Sequence, residues 1–450
     1  KVLVFLLMPL YTKVLSEAQY GTVDLMVQVG NFLLPLVSCG IVNGIIRFGL
    51  DKYYKKRDVF TTGFLTILFG FIILLILEPI LVHVPYLNEN TMMIYVFVLM
   101  SSMRSLCSQF VRAKGYVKLY AIDGLLSTAT TIFFNVLYLV VLKWGINGYM
   151  LAMISADTLS TLFLFYVAGL RRYLHIRGLN LSTSREMLRY SIPMIPNSIF
   201  WWVNNMASRY MIAYFMGEEY NGLFAVAYKI PTIIVLMSNI FMDAWQMSAV
   251  SDSPDKRASF FTRVFLFYQS LICTAASGLI LFSKVITMIL VSDSFYESWK
   301  YIPLLLLSTI FSCMSTFLGS VYMVEKKSML NFITTGIGAV INVVLNFLFI
   351  PIFGVNGAAF ATFLSYFVVF VLRVIDTRRF IPMHFHPMRL TFNTLVLLAQ
   401  AFIMIFEVKG WIFFELILTV LMVVANMSAL LATVAQLLLK RRPHPQHYEE

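Results

Sequence analysis

The sequence predicts an all-α integral membrane protein of about fourteen transmembrane helices, and three observations carry that reading. Hydrophobic residues make up 60% of the 450 positions and charged ones 12%, with a mean hydropathy of +0.81, a balance that excludes a soluble domain. Apolar runs of the length a helix needs to cross a bilayer, about 20 residues, follow one another from end to end. Lysines and arginines then fall in every other gap between these runs: 22 in alternate gaps and 3 in the intervening ones, with Lys13 a fourth. Positive loops stay in the cytoplasm, so the cation-rich gaps lie inside, and both termini with them.

Taken in order, helices are expected near 1–13, 22–48, 60–84, 91–111, 119–142, 146–170, 188–216, 222–250, 259–283, 299–323, 328–350, 355–375, 390–406 and 411–439. The inward gaps are marked by Lys52 to Arg57, Arg112 to Lys118, Arg171 to Arg189, Lys256-Arg257, Lys326-Lys327, Arg378 to Arg389 and Lys440 to Arg442. An even number of spans agrees with two inward ends. The chain opens inside an apolar segment at Lys1-Val2-Leu3, so the first helix is expected to be truncated, and no signal peptide is framed there. The longest connection, Arg171 to Met187, is too short for an extramembrane catalytic domain, so no enzyme is expected. A polysaccharide polymerase, which would need a large outward loop carrying catalytic groups, is disfavoured for the same reason.

The net charge of +12 is accounted for by the inward loops, which points to membrane lipids rather than nucleic acid. Cys39, Cys107, Cys273 and Cys313 lie within apolar runs and show no disulfide or metal spacing. His384, His386, His444 and His447 lack a third ligand at helical spacing. No metal and no cofactor is expected.

An internal repeat organises the chain. NVLYLVVLKWGINGYMLA from Asn135 and NFLFIPIFGVNGAAFA from Asn346 share an asparagine and a Gly-apolar-Asn-Gly turn, offset by 209 to 211 residues. Ser16 to Gly21 is echoed by Gly217 to Gly222 at an offset near 201. Both echoes fall at outward turns, with six helices between copies, so the halves share one orientation. Such halves are related by an axis along the membrane normal, with the substrate site between them. The expected organisation is a six-helix bundle over 1–174, a second over 175–384, and a further helix pair with a tail over 385–450.

The run PLYTKVLSEAQYGTVDL (Pro9 to Leu25), the Arg47-Phe48 pair and the Asn-Gly turns at 147–148 and 356–357 resemble bacterial oligosaccharide flippases. These belong to the multidrug, oligosaccharidyl-lipid and polysaccharide exporter superfamily. The resemblance implies two six-helix bundles around a central cavity plus two C-terminal helices, in the bacterial inner membrane. It also implies an O-antigen or capsule type substrate, an undecaprenyl-pyrophosphate-linked oligosaccharide, flipped to the outer leaflet. Polysaccharide polymerase and chain-length machinery are its implied partners. Nothing in the sequence demands more than a monomer. A cation-coupled multidrug exporter of the same fold is the alternative.

Ionisable groups at membrane depth are costly, so each is a functional candidate. Arg209 and Lys229 sit about seven residues from an outward turn, roughly 10 Å deep at 1.5 Å per residue. Two cations at one depth call for an anion such as pyrophosphate, or an intervening carboxylate; snorkelling to headgroups is the plainer reading. Arg104 and Arg47 form an inner set for the same ligand, with a lysine-rich loop anchoring Arg47 and Asp123 available to pair with Arg104. Asp157 has no cation within a turn of its own helix, so it and Asp243 are candidates for proton or Na⁺ coupling. Asp24, Glu78 and Glu415 are expected to be solvated near interfaces. Trp201 and Asn205 belong to an aromatic and polar mixture suited to sugar rings or to helix packing. Pro35 and Pro231 are expected to kink corresponding helices of the two halves.

Overall fold

The computed structural model describes residues 7–78, 90–175, 179–249, 254–325 and 327–440; the side chains of 197, 201, 204, 205, 243–249, 254–257, 323, 324, 328 and 432–440 fall outside the description. Among the described residues all regular structure is helical. The helices are α1 (Met8–Val14), α2 (Glu17–Val37), α3 (Ile41–Leu50), α4 (Lys56–Ile76), α5 (Thr91–Ala113) and α6 (Val117–Asn135). They continue with α7 (Gly145–Val167), α8 (Leu181–Ser191), α9 (Ile195–Met216), α10 (Glu218–Ala227), α11 (Thr232–Ala249) and α12 (Pro254–Leu281). The last are α13 (Ser283–Leu290), α14 (Ile302–Val324), α15 (Ser328–Thr377), α16 (Pro387–Ile405) and α17 (Trp411–Lys440). Ten described helices are long and apolar enough to cross a membrane, and the bent pair α10 and α11 makes an eleventh.

Among the described residues each expected apolar run coincides with helix, and the departures have local causes. The run expected as 22–48 is two helices, because Cys39 (φ 48°) and Gly40 (φ 63°) adopt left-handed conformations. Gly40 N donates to Pro35 O at 3.0 Å, closing α2 in a turn that glycine reaches without a Cβ clash. Pro231 lies in the break between α10 and α11, which are bent by 43°. The runs expected as 328–350 and 355–375 form one long element, α15, bent where Gly354 takes φ 58° and ψ −141°. A π-helical turn, Val136–Val141, extends α6 beyond Asn135.

Two compact units are formed, Lys1–Ala225 with Leu290–Phe295, and Val226–Ile289 with Tyr296–Glu450. The first buries two apolar clusters, one around Ile41, Phe60 and Phe110 and one around Met26, Tyr95 and Met150. It also holds α8 and α9, which the repeat had placed with the second bundle. The reason is visible at the echoed turns themselves. A Cβ on Gly21 would stand 2.0 Å from Glu218 O, and one on Gly222 would stand 2.0 Å from Glu17 O. Asn221 Nδ2 donates to Gly21 O at 3.0 Å, and Ser16 caps α2 with Gln19 in a capping box. The echo near Ser16 and the echo near Gly217 are therefore two halves of one reciprocal contact, which only glycine permits.

The other echo shows matching local geometry in the two units. Gly148 is the site of close approach to Tyr138 O (3.0 Å from an added Cβ), and Gly357 of close approach to Phe349 O (2.2 Å). Asn135 and Asn346 are both fully buried and both donate to the carbonyl one turn back, Thr131 O at 2.7 Å and Asn342 O at 2.8 Å.

Candidate functional site

In the first unit, α5 carries Ser101 and Arg104 three residues apart, and α7 carries Asp157 and Ser160 at the same spacing, so each pair shares one helix face. The two faces meet. Arg104 Nη1 donates to Asp157 Oδ1 at 2.8 Å, and Arg104 Nε donates to Ser160 Oγ at 3.2 Å. Ser101 donates to the other Asp157 oxygen. Ser160 passes the chain on by donating to Asp123 Oδ1 from α7 to α6. Asp123 is therefore reached through a hydroxyl, and the direct Arg104 to Asp123 bridge expected from the sequence is replaced by one to Asp157.

The cluster is graded in exposure. Asp123 is 2% exposed, the Asp157 side chain 12% and the Arg104 side chain 32%. Its sealed end holds a carboxylate and its open end a guanidinium. One cation faces two carboxylates, so with both ionised the cluster is one positive charge short. Breaking a buried ion pair by removing one partner costs about 3–5 kcal/mol; the open end of this one lowers that figure.

A second ion pair corrects one sequence expectation. Asp24 on α2 is not a solvated helix start: it is buried and accepts from Arg209 Nη1 on α9. Gln28 Nε2 reaches the other oxygen of Asp24 at 3.5 Å, and Trp202 Nε1 donates to Gln28 O at 2.7 Å. Trp202 also packs on Phe32 with centroids 4.5 Å apart. The carboxylate that could relieve Arg209 is thus present. Lys229 lies in the α10 to α11 break, in the other unit.

Arg47 is exposed on α3 with its guanidinium 4.3 Å from the Tyr190 ring on α8, a cation–π contact that holds it at the surface. Trp201 and Asn205 on α9 and Asp243 on α11 have side chains outside the described residues. Glu78 is exposed, as expected. Glu415 is not: it is fully buried on α17, where Gln400 Nε2 donates to its Oε2 at 2.8 Å.

Sequence reading missed Arg373, 5% exposed within α15, although a lone arginine in an apolar run of that length was signal enough. It also missed Lys284, whose ammonium bonds Glu407 Oε1 at 2.7 Å and lies 4.0 Å from the Trp299 ring.

A family described as "Polysaccharide biosynthesis protein" matches residues 1–245. No curated protein matches the chain. Among solved structures, the lipid II flippase MurJ in an inward closed conformation is similar with a TM-score of 0.69 at 14% identity, covering 96% of this chain and 97% of that one. An inward-facing multidrug resistance MATE family transporter of the MOP superfamily gives 0.68 at 12% identity, covering 82% and 92%. A MOP superfamily transporter from Pyrococcus furiosus gives 0.57 at 12% identity, covering 83% and 91%. At these identities the likeness is one of fold, and the fold is that of MOP-type membrane transporters.

Proposed function

The chain belongs to the polysaccharide biosynthesis protein family, and we propose that it is a flippase carrying an undecaprenyl-pyrophosphate-linked oligosaccharide to the outer leaflet of the bacterial inner membrane by alternating access. The family description and the transporter fold support movement of a lipid-linked sugar intermediate across the bilayer. The observation that carries the reading is Arg104, a third exposed, facing outward from its cluster on an ion pair with Asp157.

A guanidinium presents a planar fork of donors that matches phosphate oxygens, and it keeps its charge at any working pH. In the resting protein Asp157 occupies Arg104 Nη1. An arriving pyrophosphate displaces that carboxylate while Ser160 keeps hold of Nε. Asp157, still held by Ser101 and with the Asp123 carboxylate in the same cluster beyond Ser160, then has no counter-charge and takes up a proton or a Na⁺ ion. Substrate and coupling ion thereby compete across one arginine. Arg209, Lys229 and Arg47 are secondary contacts for the same headgroup, Trp201 and Asn205 contacts for the sugars, and Asp243 a second coupling group. The protein acts as a monomer with both termini in the cytoplasm, supplying the polymerase and chain-length machinery.

A cation-coupled multidrug exporter is the second reading, favoured by the surplus carboxylate at Asp123 and Asp157. Proteoliposomes decide between them. The flippase reading expects transfer of undecaprenyl-pyrophosphate oligosaccharide by the wild type and its loss in Arg104→Ala. Movement of cationic dyes alone, driven by a proton or Na⁺ gradient, replaces it with the exporter.

A further inference from the structure

Glu415 is the one acidic residue of α17, and it is fully buried where α17 packs with α12 and α16. Gln400 Nε2 on α16 donates to Glu415 Oε2 at 2.8 Å and to Thr419 Oγ1 at 3.0 Å. Ser277 on α12 donates to Thr419 Oγ1 at 3.4 Å. Two oxygens are left over, Glu415 Oε1 and Gln400 Oε1, both buried and both without a partner. They are acceptors on residues that already bond each other, so the cluster is short by one hydrogen.

The charged and titratable groups around it do not supply that hydrogen. Between Val264 and Leu281, α12 carries no acid or base, only the neutral Tyr268 and the buried thiol Cys273. On α16 the sole charged residue is Arg389, at the opposite end, where it donates to Ser428 Oγ at 3.3 Å. Within α14 there is no charged residue. At this end Lys284 is committed to Glu407 at 2.7 Å and to the rings of Trp299 and Trp411 at 4.0 and 4.7 Å, Lys300 pairs with Glu297, and Lys409 is exposed. An ionised carboxylate with one amide donor in an apolar setting is strongly disfavoured.

We propose that Glu415 is a proton-binding site: its carboxyl is the neutral acid, with Oε1 carrying the proton that Gln400 Oε1 accepts. A stripe on α12 leads away from it. Ser270, Thr274 and Ser277 stand at i, i+4 and i+7 on one face, a run of about 10 Å, and the hydroxyls of Ser270 and Thr274 are buried without partners. Farther along, Asn393 and Asn426 close on each other through reciprocal amide bonds of 3.1 and 3.0 Å. That pair closes the buried polar row at the end away from Trp411.

The test is modification of the purified full-length protein with dicyclohexylcarbodiimide, which attacks protonated carboxyls in apolar surroundings, read by peptide mass spectrometry. The expected result is an adduct on Glu415 at neutral pH, falling about tenfold per unit once the pH passes the carboxyl's titration point, and insensitive to NaCl. Infrared spectra should show a protonated-carboxyl band that Glu415→Gln removes. If the variant fails to fold, the pH profile of the wild-type adduct stands alone. Absence of both adduct and band overturns the proposal, and protection by Na⁺ but not K⁺ makes the site a cation site instead. Neither readout involves transport, so the outcome is independent of the proposed substrate.

Discussion

The two repeats each place an arginine at the junction of three corresponding helices, part-exposed in the first and buried in the second, and they use it differently. Helix α5 and helix α14 are both 23 residues long and begin 211 residues apart, at Thr91 and Ile302. At the offset of the repeat, Ser315 stands where Arg104 stands, Thr334 where Asp123 stands, and Arg373 where Leu164 stands. Arg104 reaches from the first helix of its set to an aspartate. Arg373 reaches back from the last helix of its set to Ser315 O at 2.7 Å, Thr334 Oγ1 at 3.1 Å and Thr335 Oγ1 at 3.0 Å. Those partners are neutral, and Arg373 is 5% exposed. A guanidinium satisfied by fixed neutral acceptors clips helices together. One held by a single exchangeable carboxylate at an open end can trade that partner for a ligand. The position of the acid decides which.

The largest expected effect tests whether the repeats are equivalent at all. An added methyl at Gly21 or Gly222 would meet a backbone carbonyl at 2.0 Å in either case. Gly21→Ala and Gly222→Ala should each destabilise by about 3 kcal/mol or more, because two helix starts must part. Gly124→Ala, where an added Cβ meets open space, should be neutral or stabilising by up to about 1 kcal/mol. Thermal unfolding in detergent reads all three; unequal losses at Gly21 and Gly222 would break the symmetry argued here.

The two arginines themselves come next. Arg104→Ala should reduce oligosaccharide transfer per folded molecule about 100-fold, on the order of 3 kcal/mol for a charge-assisted contact, with a stability loss below that of a fully buried pair. Arg373→Met should do the reverse, costing about 1–3 kcal/mol of stability through stranded acceptors and sparing transfer per folded molecule. If both variants lose transfer equally while remaining folded, the division between clip and contact fails. Asp157→Asn sharpens the same point. It frees Arg104 while keeping the hydrogen-bonding shape, so the headgroup should bind more tightly and release should slow, visible as a lower KM with a lower maximal rate.

Much of the fold lay open in the sequence because hydrophobic length and loop charge are local properties. The helix positions follow from them, and the departures at Cys39, Gly40 and Gly354 are backbone conformations that composition does not encode. The site was less legible. Arg104, Arg209 and Asp157 stand out as isolated charges in apolar runs, but their partners lie 53 and 185 positions away in the chain. A helix-by-helix reading therefore left Asp157 without a cation and Asp24 in solvent. Glu415 was misplaced for a related reason: four residues from a helix end reads as interfacial until the neighbouring helices are seen to cover it.

A third cation bounds the comparison from below, and here the expected effect is smallest. Lys284 pairs with Glu407 in the turn before α17, and the glutamate side chain is 55% exposed. The hydrogen bond from Lys284, then its charge, holds the Glu407 carboxyl below its ordinary value. A depressed carboxylate contributes stability that is present above its unfolded value, about 4.3, and is lost as pH falls through the folded one. Solvent and salt screen so exposed a pair to under about 1 kcal/mol. Glu407 also sits at φ 46°, a left-handed conformation that costs a residue with a Cβ about 1 kcal/mol. Two variants separate these contributions. Glu407→Gln should lose the pair, keep the strain and unfold slightly earlier at pH 7, the difference vanishing once the pH has fallen past the depressed carboxyl. Glu407→Gly should lose both and come out near neutral, and a clear loss in the glycine variant would mean that the ion pair matters more than its exposure allows.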